Sequence, residues 1–162
     1  MKKIVIVGGG AGGLELATKL GDTLGRRKKA EIHLVDTNNT HLWKPLLHEV
    51  ATGSLDSGID ELSYRAQAHN HCFKFHLGSM CDLNRESSNI ILAAMSDENN
   101  DEVLPERVLS YNTLVLAVGS QTNDFGTKGA SRFCSFLDSR KQADKFHQKL
   151  LNTYLRANNT AG

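Results

Sequence analysis

The chain is short of the features that define whole classes of protein. Its 162 residues include three cysteines, Cys72, Cys81 and Cys134, with no C-x-x-C pair. An odd, dispersed set of thiols excludes a disulfide-stapled scaffold and reads as reduced cysteines used for packing. No apolar run approaches the roughly 18 residues needed to cross a bilayer, and no charged-then-apolar leader precedes the first apolar strand. Met1 lies so close to that strand that a cytoplasmic setting is expected. Nineteen cationic and eighteen anionic side chains leave a net charge of +1, so bulk electrostatics call for no nucleic acid. Internal repeats, low-complexity tracts, a Ser-His-Asp set and a paired-carboxylate signature are also missing. What remains is ordinary globular composition, 40% hydrophobic and 23% charged, in a chain long enough for one domain with a core.

Glycine, in contrast, is concentrated where it carries information. Ile4 to Val7 form a continuous apolar run that leads into Gly8-Gly9-Gly10-Ala11-Gly12-Gly13. A strand buried on both faces of a parallel sheet has such a run. Gly8, Gly10 and Gly13 stand in G-x-G-x-x-G register, and Asp36 follows 23 residues after Gly13. This is a dinucleotide-binding arrangement in its expected context of strand, glycine turn, helix, strand and acid. Gly8 permits the turn, Gly10 lets backbone approach a pyrophosphate, and Gly13 lets the helix pack close. The helix N-terminus then offers free N–H groups and its positive dipole end to phosphate. Leu16, Leu20 and Leu24, with Ala17 beside them, predict the core-facing stripe. Glu31 to Val35 predict the second strand, and Asp36 is placed to accept both hydroxyls of an adenosine ribose. Thr37-Asn38-Asn39-Thr40 contains no arginine, which disfavours a 2′-phosphate and hence NADP.

Further along, Asp56 to Asn70 reads as a helix capped by Asp56 or Ser57. Phe73 to Leu77 alternates like a half-buried strand, and Gly78-Ser79 separates it from Met80 to Leu83. Asn89 to Ala94 and Glu102 to Leu109 read as an antiparallel hairpin inserted into the α/β frame. Thr113 to Val118 is a second buried-strand run, ending at Gly119-Ser120. An amphipathic helix is expected over about Ser139 to Leu155, with Ala143, Phe146, Leu150 and Tyr154 on one face. Residues 158–162 form a polar tail without expected structure.

Two segments make the pattern specific. Tyr111-Asn112-Thr113-Leu114-Val115-Leu116-Ala117-Val118-Gly119-Ser120 resembles the second nucleotide-contact motif of flavoproteins with two dinucleotide domains. Trp43-Lys44-Pro45-Leu46-Leu47-His48-Glu49-Val50-Ala51-Thr52-Gly53-Ser54-Leu55 resembles the flavin-side segment of type II NADH dehydrogenases, the single-subunit NADH:quinone oxidoreductases. The resemblance runs from Lys3 to about Tyr154 and is strongest to the proteobacterial respiratory type. It implies a Rossmann-like FAD/NAD(P)-binding α/β fold, a parallel sheet with the inserted hairpin. Gly8, Gly10, Ala11, Gly12 and Gly13 would cradle the FAD pyrophosphate, and Asp36 would hold the ribose. Thr37 and Asn38 would flank ribose and adenine, and the Met80 backbone would contact adenine. Ala117 and Gly119 would pack on the phosphates and ribityl chain. Lys44 and Pro45 would sit near the isoalloxazine, where a cation favours the anionic reduced ring. The complete enzyme of this type takes NADH and a quinone and is peripheral on the cytoplasmic face of the inner membrane.

The departures from that family bear equally on function. No second G-x-G-x-x-G for NADH follows Gly119, where Gly126, Gly129 and Gly162 are isolated. The only Gly-Asp pair, Gly21-Asp22, lies in the first helix rather than on a closing strand. The membrane-attaching C-terminal region of the family has no counterpart. The chain therefore reads as an N-terminal piece, residues 1–157 being the first part of an FAD-binding domain. An uncovered sheet edge in such a piece predicts aggregation or a homodimer. The disulfide reductases are set aside, because His41 to Leu47 lacks their cysteine pair. Two functions remain: the FAD-binding portion of an NADH:quinone oxidoreductase, or a non-catalytic FAD- or ADP-binding half-domain. A compact NAD-dependent dehydrogenase domain is disfavoured by the hairpin and by the Thr113 to Ser120 motif. Among lesser signals, His69-x-His71 with Cys72 reads as solvated loop rather than metal site, and no metal is expected. His41 and His48 read as packing or hydrogen-bonding groups, Trp43 as core or flavin-edge packing. Arg26-Arg27-Lys28-Lys29 reads as a solvated loop face in preference to a membrane contact.

Overall fold

The computed structural model describes residues 1–55 and 61–160. The chain divides into two compact units, Met1–His41 with Leu62–Gly119 and Leu42–Glu61 with Ser120–Gly162. The strands, all in the first unit, are β1 (Lys2–Val7), β2 (Ala30–Asp36), β3 (Thr40–His41), β4 (Leu62–Ser63), β5 (Lys74–Leu77), β6 (Met80–Asn84), β7 (Asn89–Leu92), β8 (Met95–Ser96), β9 (Glu102–Leu104), β10 (Arg107–Ser110) and β11 (Thr113–Leu116). The helices are α1 (Ala11–Leu20), α2 (Leu47–Thr52), α3 (Tyr64–Asn70), α4 (Ala130–Phe133) and α5 (Arg140–Thr160).

In the first unit β11, β1, β2 and β5 lie in that order in a four-stranded parallel sheet. Successive side chains of a strand face opposite ways, and the two faces of this sheet bury different partners. Ile6, Ile32 and Leu34 join Leu14 and Ala17 of α1 and Tyr64 and Ala68 of α3. Val5, Val7 and Val35, on the other face, join Ile90 and Leu92 of β7. Strand β7 is the centre of a three-stranded antiparallel sheet ordered β10-β7-β6. The expected hairpin is present as β7 with β10, but its second strand, expected unbroken from Glu102 to Leu109, is split at Pro105-Glu106, and β9 pairs instead with β8. Its third strand, β6, adds the cover that lets Val5 and Val7 be buried.

Helix α1 approaches the sheet on its smallest residues. Gly13, Ala17 and Gly21, spaced at i, i+4 and i+8, are buried with Leu14. The expected leucine stripe lies to the side, since Leu16, Leu20 and Leu24 are only partly buried. After Leu20 the helix widens into a π turn, Gly21–Gly25. There a Cβ on Gly21 would overlap the carbonyl of His71, so the helix end and the α3–β5 turn touch through backbone.

Several expectations are corrected. The helix before Asn70 begins at Tyr64, because Ser63 caps it by accepting from the Ala66 N–H at 3.4 Å. The caps expected at Asp56 or Ser57 lie outside the described residues. Among the described residues β11 pairs only with β1 and ends at Leu116, so Leu116 and the following Val118 are 56% and 69% exposed rather than buried. Trp43 is 54% exposed and is not core. Cys72, Cys81 and Cys134 are free and exposed, not packed. The polar end is helical, because α5 runs through Thr160; residues 161–162 lie outside the described residues.

The second unit is held by α2 against α5. Leu47, Val50, Ala51 and Ala143 form its buried centre, with Leu42, Leu55, Leu137 and Phe146 around them. Arg140 at the start of α5 pairs with Glu61 at 2.6 Å. On the expected α5 face Ala143 is buried, Phe146 and Leu150 are half-buried, and Tyr154 is exposed. Among the described residues no helix is long and apolar enough to cross a membrane.

One polar pair, His33 buried and His76 half-buried, is expected to make the first unit acid-sensitive. His33 Nδ1 and His76 Nε2, on β2 and β5, are 2.8 Å apart, and the rings stack with centroids at 5.1 Å. His33 Nε2 also meets Glu31 Oε2 at 3.3 Å, and Lys74 Nζ meets the same oxygen at 3.2 Å. Burial pushes both imidazoles down, His76 to about 4, and the charges of His33, Arg107 and Lys74 push His76 the same way. The unfolded chain therefore takes up protons on these histidines at a pH where the folded one does not. Stability is full above the ordinary histidine range and falls as the pH drops from about 6.5 toward about 4. Allowing for partial exposure of His76, a loss of about 1–2 kcal/mol is expected. Urea denaturation at about pH 7 and about pH 5 measures it, and His76→Leu should flatten the difference.

Candidate functional site

The glycine turn leaves β1 at Gly8, whose N–H donates to the Val35 carbonyl at 2.8 Å. Ala117 N–H donates to the Val7 carbonyl at 2.7 Å, which brings the end of β11 beside the turn. Gly8 has φ +103°, in the left-handed region, and a Cβ there would overlap the Ala117 carbonyl. A Cβ on Gly13 would overlap the Gly8 carbonyl and press on the Ala117 side chain. A Cβ on Gly9 would overlap the phenol of Tyr64. Packing within the protein therefore requires glycine at 8, 9 and 13. Gly10 and Gly12 differ, since a Cβ at either meets nothing. Gly10 has φ −59° and caps α1, its carbonyl accepting from the Leu14 N–H at 2.9 Å. The first turn of α1 contains no acidic side chain to repel an anion.

Asp36 ends β2 facing this turn. Its Oδ2 accepts from the Gly9 N–H at 2.7 Å. Its Oδ1 accepts from the backbone N–H and the side-chain amide of Asn38, at 2.8 and 3.1 Å. A carboxylate has about four lone-pair positions, so these donors leave room for about one more. The Asp36 carbonyl accepts from the Gly78 N–H at 2.8 Å, tying in the turn before Met80. Arg107 supports that turn by donating from its guanidinium to the Leu77 carbonyl.

Tyr64 has no role in the sequence reading, yet it completes the turn. Its side chain is 2% exposed, and its hydroxyl donates to the Gly9 carbonyl at 2.6 Å. The ring stacks on Phe75 with centroids at 5.1 Å and meets His41 at 6.2 Å. Burial drives the phenol far above its ordinary range, and the Asp36 carboxylate adds to this; the hydroxyl therefore remains a neutral donor. The only sequence signal for this contact is the middle glycine of Gly8-Gly9-Gly10, which lies outside the G-x-G-x-x-G register.

The structure thus gathers Gly8, Gly10, Ala11, Gly12, Gly13, Asp36, Thr37, Asn38 and Ala117 around the C-terminal ends of β1, β2 and β11, where open α/β sheets bind ligands. Thr37 and Asn38 are exposed, and Met80 opens β6 half-buried against the β7 cluster. Gly119 follows with φ +72° and open space beside it. Lys44 and Pro45 belong to the second unit, where they form a 3₁₀ turn (Lys44–Leu46). There Lys44 Nζ donates to the Ser120 carbonyl at 2.8 Å. The solvated histidine is not free: His71 Nδ1 meets Asp22 Oδ2 at 2.9 Å. Among the described residues no three His, Cys, Asp or Glu side chains converge for a metal.

The family profile described as pyridine nucleotide-disulphide oxidoreductase matches residues 2–159. The chain is 54% identical over 156 residues to the type II NADH:quinone oxidoreductase of Haemophilus influenzae, covering 96% of this chain and 35% of that protein. Among solved structures, NDH2 from Plasmodium falciparum in complex with NADH superimposes with a TM-score of 0.75 at 26% identity, over 97% of this chain and 30% of that one. The sulfide:quinone oxidoreductase of Aquifex aeolicus shares the fold, with a TM-score of 0.71 at 17% identity, over 96% and 33%. The chain spans about a third of the length of these relatives.

The glycines separate in a stability measurement. Gly8→Ala should cost about 2 kcal/mol or more, from strain at positive φ and overlap with backbone that cannot yield. Gly10→Ala should stay within about 0.5 kcal/mol of the parent. Urea midpoints of the two variants test this, and equal losses would mean that Gly10 is also packed.

Proposed function

Because the chain belongs to the pyridine nucleotide-disulphide oxidoreductase family, we propose that its glycine turn holds the pyrophosphate of FAD and that the chain is the FAD-binding portion of an NADH:quinone oxidoreductase. The observation that carries this reading is the split among the glycines. Those at 8, 9 and 13 answer to the protein's own packing, whereas those at 10 and 12 border open space. Glycine at those two positions leaves room for a ligand against the backbone. The start of α1 supplies unpaired N–H groups and a positive dipole end there, which suit a diphosphate.

In this reading Gly10, Ala11, Gly12 and Gly13 bind the pyrophosphate by backbone. Asp36 accepts a ribose hydroxyl, Thr37 and Asn38 flank the adenosine, and the Met80 backbone borders the adenine. Ala117 and Gly119 line the path toward the ribityl chain. The resemblance, rather than a measured contact, assigns Lys44 and Pro45 to the isoalloxazine. These residues would hold and orient FAD, which when bound would supply the redox chemistry between NADH and a quinone. The 54% identity to a type II NADH:quinone oxidoreductase supports this choice of donor and acceptor.

A second reading has its own observation. These 162 residues contain one G-x-G-x-x-G, so this chain by itself is expected to bind FAD or ADP without turning over NADH. Purified chain incubated with FAD and desalted should be yellow, with bands near about 370 and 450 nm. Gly10→Ala should weaken FAD binding by about tenfold or more, with its fold intact. Failure of the parent chain to retain FAD would sink the proposal. Anaerobic bleaching by NADH would instead overturn the second reading, since it requires a functional NADH site.

A further inference from the structure

We infer that Tyr64 is a positioning residue for the pyrophosphate: by holding the Gly9 carbonyl it aims the Gly10 N–H into the open space beside the turn. The inference rests on the FAD reading and adds to it a residue outside the glycine motif. A trans peptide is planar, with its C=O and N–H pointing in opposite directions, and among the described residues no peptide bond is cis. The Tyr64 hydroxyl lies 2.6 Å from the Gly9 oxygen. The Gly10 N–H, on the far side of the same plane, must therefore point away from Tyr64. Gly10 is exposed and a Cβ on it meets nothing, so the space beside that peptide is open to a ligand.

The preceding peptide is fixed in the same manner. Asp36 holds the Gly9 N–H at 2.7 Å, which turns the Gly8 carbonyl toward Gly13. Gly9 is thus clamped from β2 on its donor side and from α3 on its acceptor side. A buried phenol needs some acceptor in any fold, but most available carbonyls would leave the loop unconstrained. Here the acceptor is the carbonyl whose peptide carries the outward N–H, and the Tyr64 ring leaves no room for a Cβ on Gly9. Phe75 stacked on the ring and His41 against it keep the hydroxyl in place.

Tyr64→Phe removes the hydroxyl and keeps the stacked ring. Binding of ADP and of adenosine to the parent and the variant, by calorimetry and by NMR titration, tests the role. ADP affinity should fall about tenfold while adenosine affinity is unchanged, because only the diphosphate uses the Gly10 N–H. Unchanged ADP affinity overturns the role, as does an equal loss for both ligands, which marks a merely structural residue. A parent chain that binds neither FAD nor ADP overturns the FAD reading and this inference together. Should Tyr64→Phe fail to fold, amide exchange in the parent chain decides. A Gly10 N–H that exchanges freely and becomes protected by ADP but not by adenosine supports the inference, and one already protected without ligand overturns it.

Discussion

The contact between the start of α1 and the sheet governs the rest of the first unit. At Gly13 the helix lies directly against the Gly8 carbonyl and the Ala117 side chain, so β1, β11 and α1 meet within one residue's width. That approach is possible only where no Cβ intervenes, and it places the free N–H groups of the first turn at the sheet's C-terminal end. The polar contacts of the site then follow. Asp36 reaches the Gly9 N–H because β2 lies next to β1, and Tyr64 reaches the Gly9 carbonyl because α3 packs on the same sheet face as α1.

Much of this was legible in sequence because it is local. The run Ile4 to Val7, the glycines, and Asp36 belong to one β-α-β unit, in which spacing along the chain converts directly into spacing in the fold. The hairpin of β7 and β10 was legible for the same reason. Relationships between distant segments were not. The pairing of β6 with β7 is local, across the 85–88 turn, but Met80 to Asn84 lacks the alternation that marks a half-buried strand. Tyr64 sits 55 residues from Gly9 in sequence, and a single tyrosine near a helix start carries no pattern. Exposure was misjudged where composition stood in for neighbours. Leu116 is apolar, but its strand lies at the sheet edge, and Val118 falls beyond the strand's end; the cysteines are small and apolar, yet all three lie on the surface.

The second unit shows how little sequence specificity a small helical pair needs. Ala143 lets α5 come close to α2, and Leu47, Val50 and Ala51 fill the contact. Beyond Leu150 the exposed Leu151, Tyr154 and Leu155 continue the apolar character of α5 without cover among the described residues. Helix formation there rests on propensity and on side chains such as Leu, Arg and Ala.

The small-residue face of α1 has a mechanical consequence. Gly13, Ala17 and Gly21 act as a depth stop, seating the helix at a height fixed by backbone contact rather than by adjustable side chains. A rigid rod seated at three points transmits any displacement along its length. A bulkier residue at Gly21, about 12 Å along the axis from Gly13 at 1.5 Å per residue, would tilt the rod and move the N–H groups at its other end. The dimensional tolerance of the glycine turn is therefore set partly at the opposite end of the helix, where Gly21 meets the His71 carbonyl.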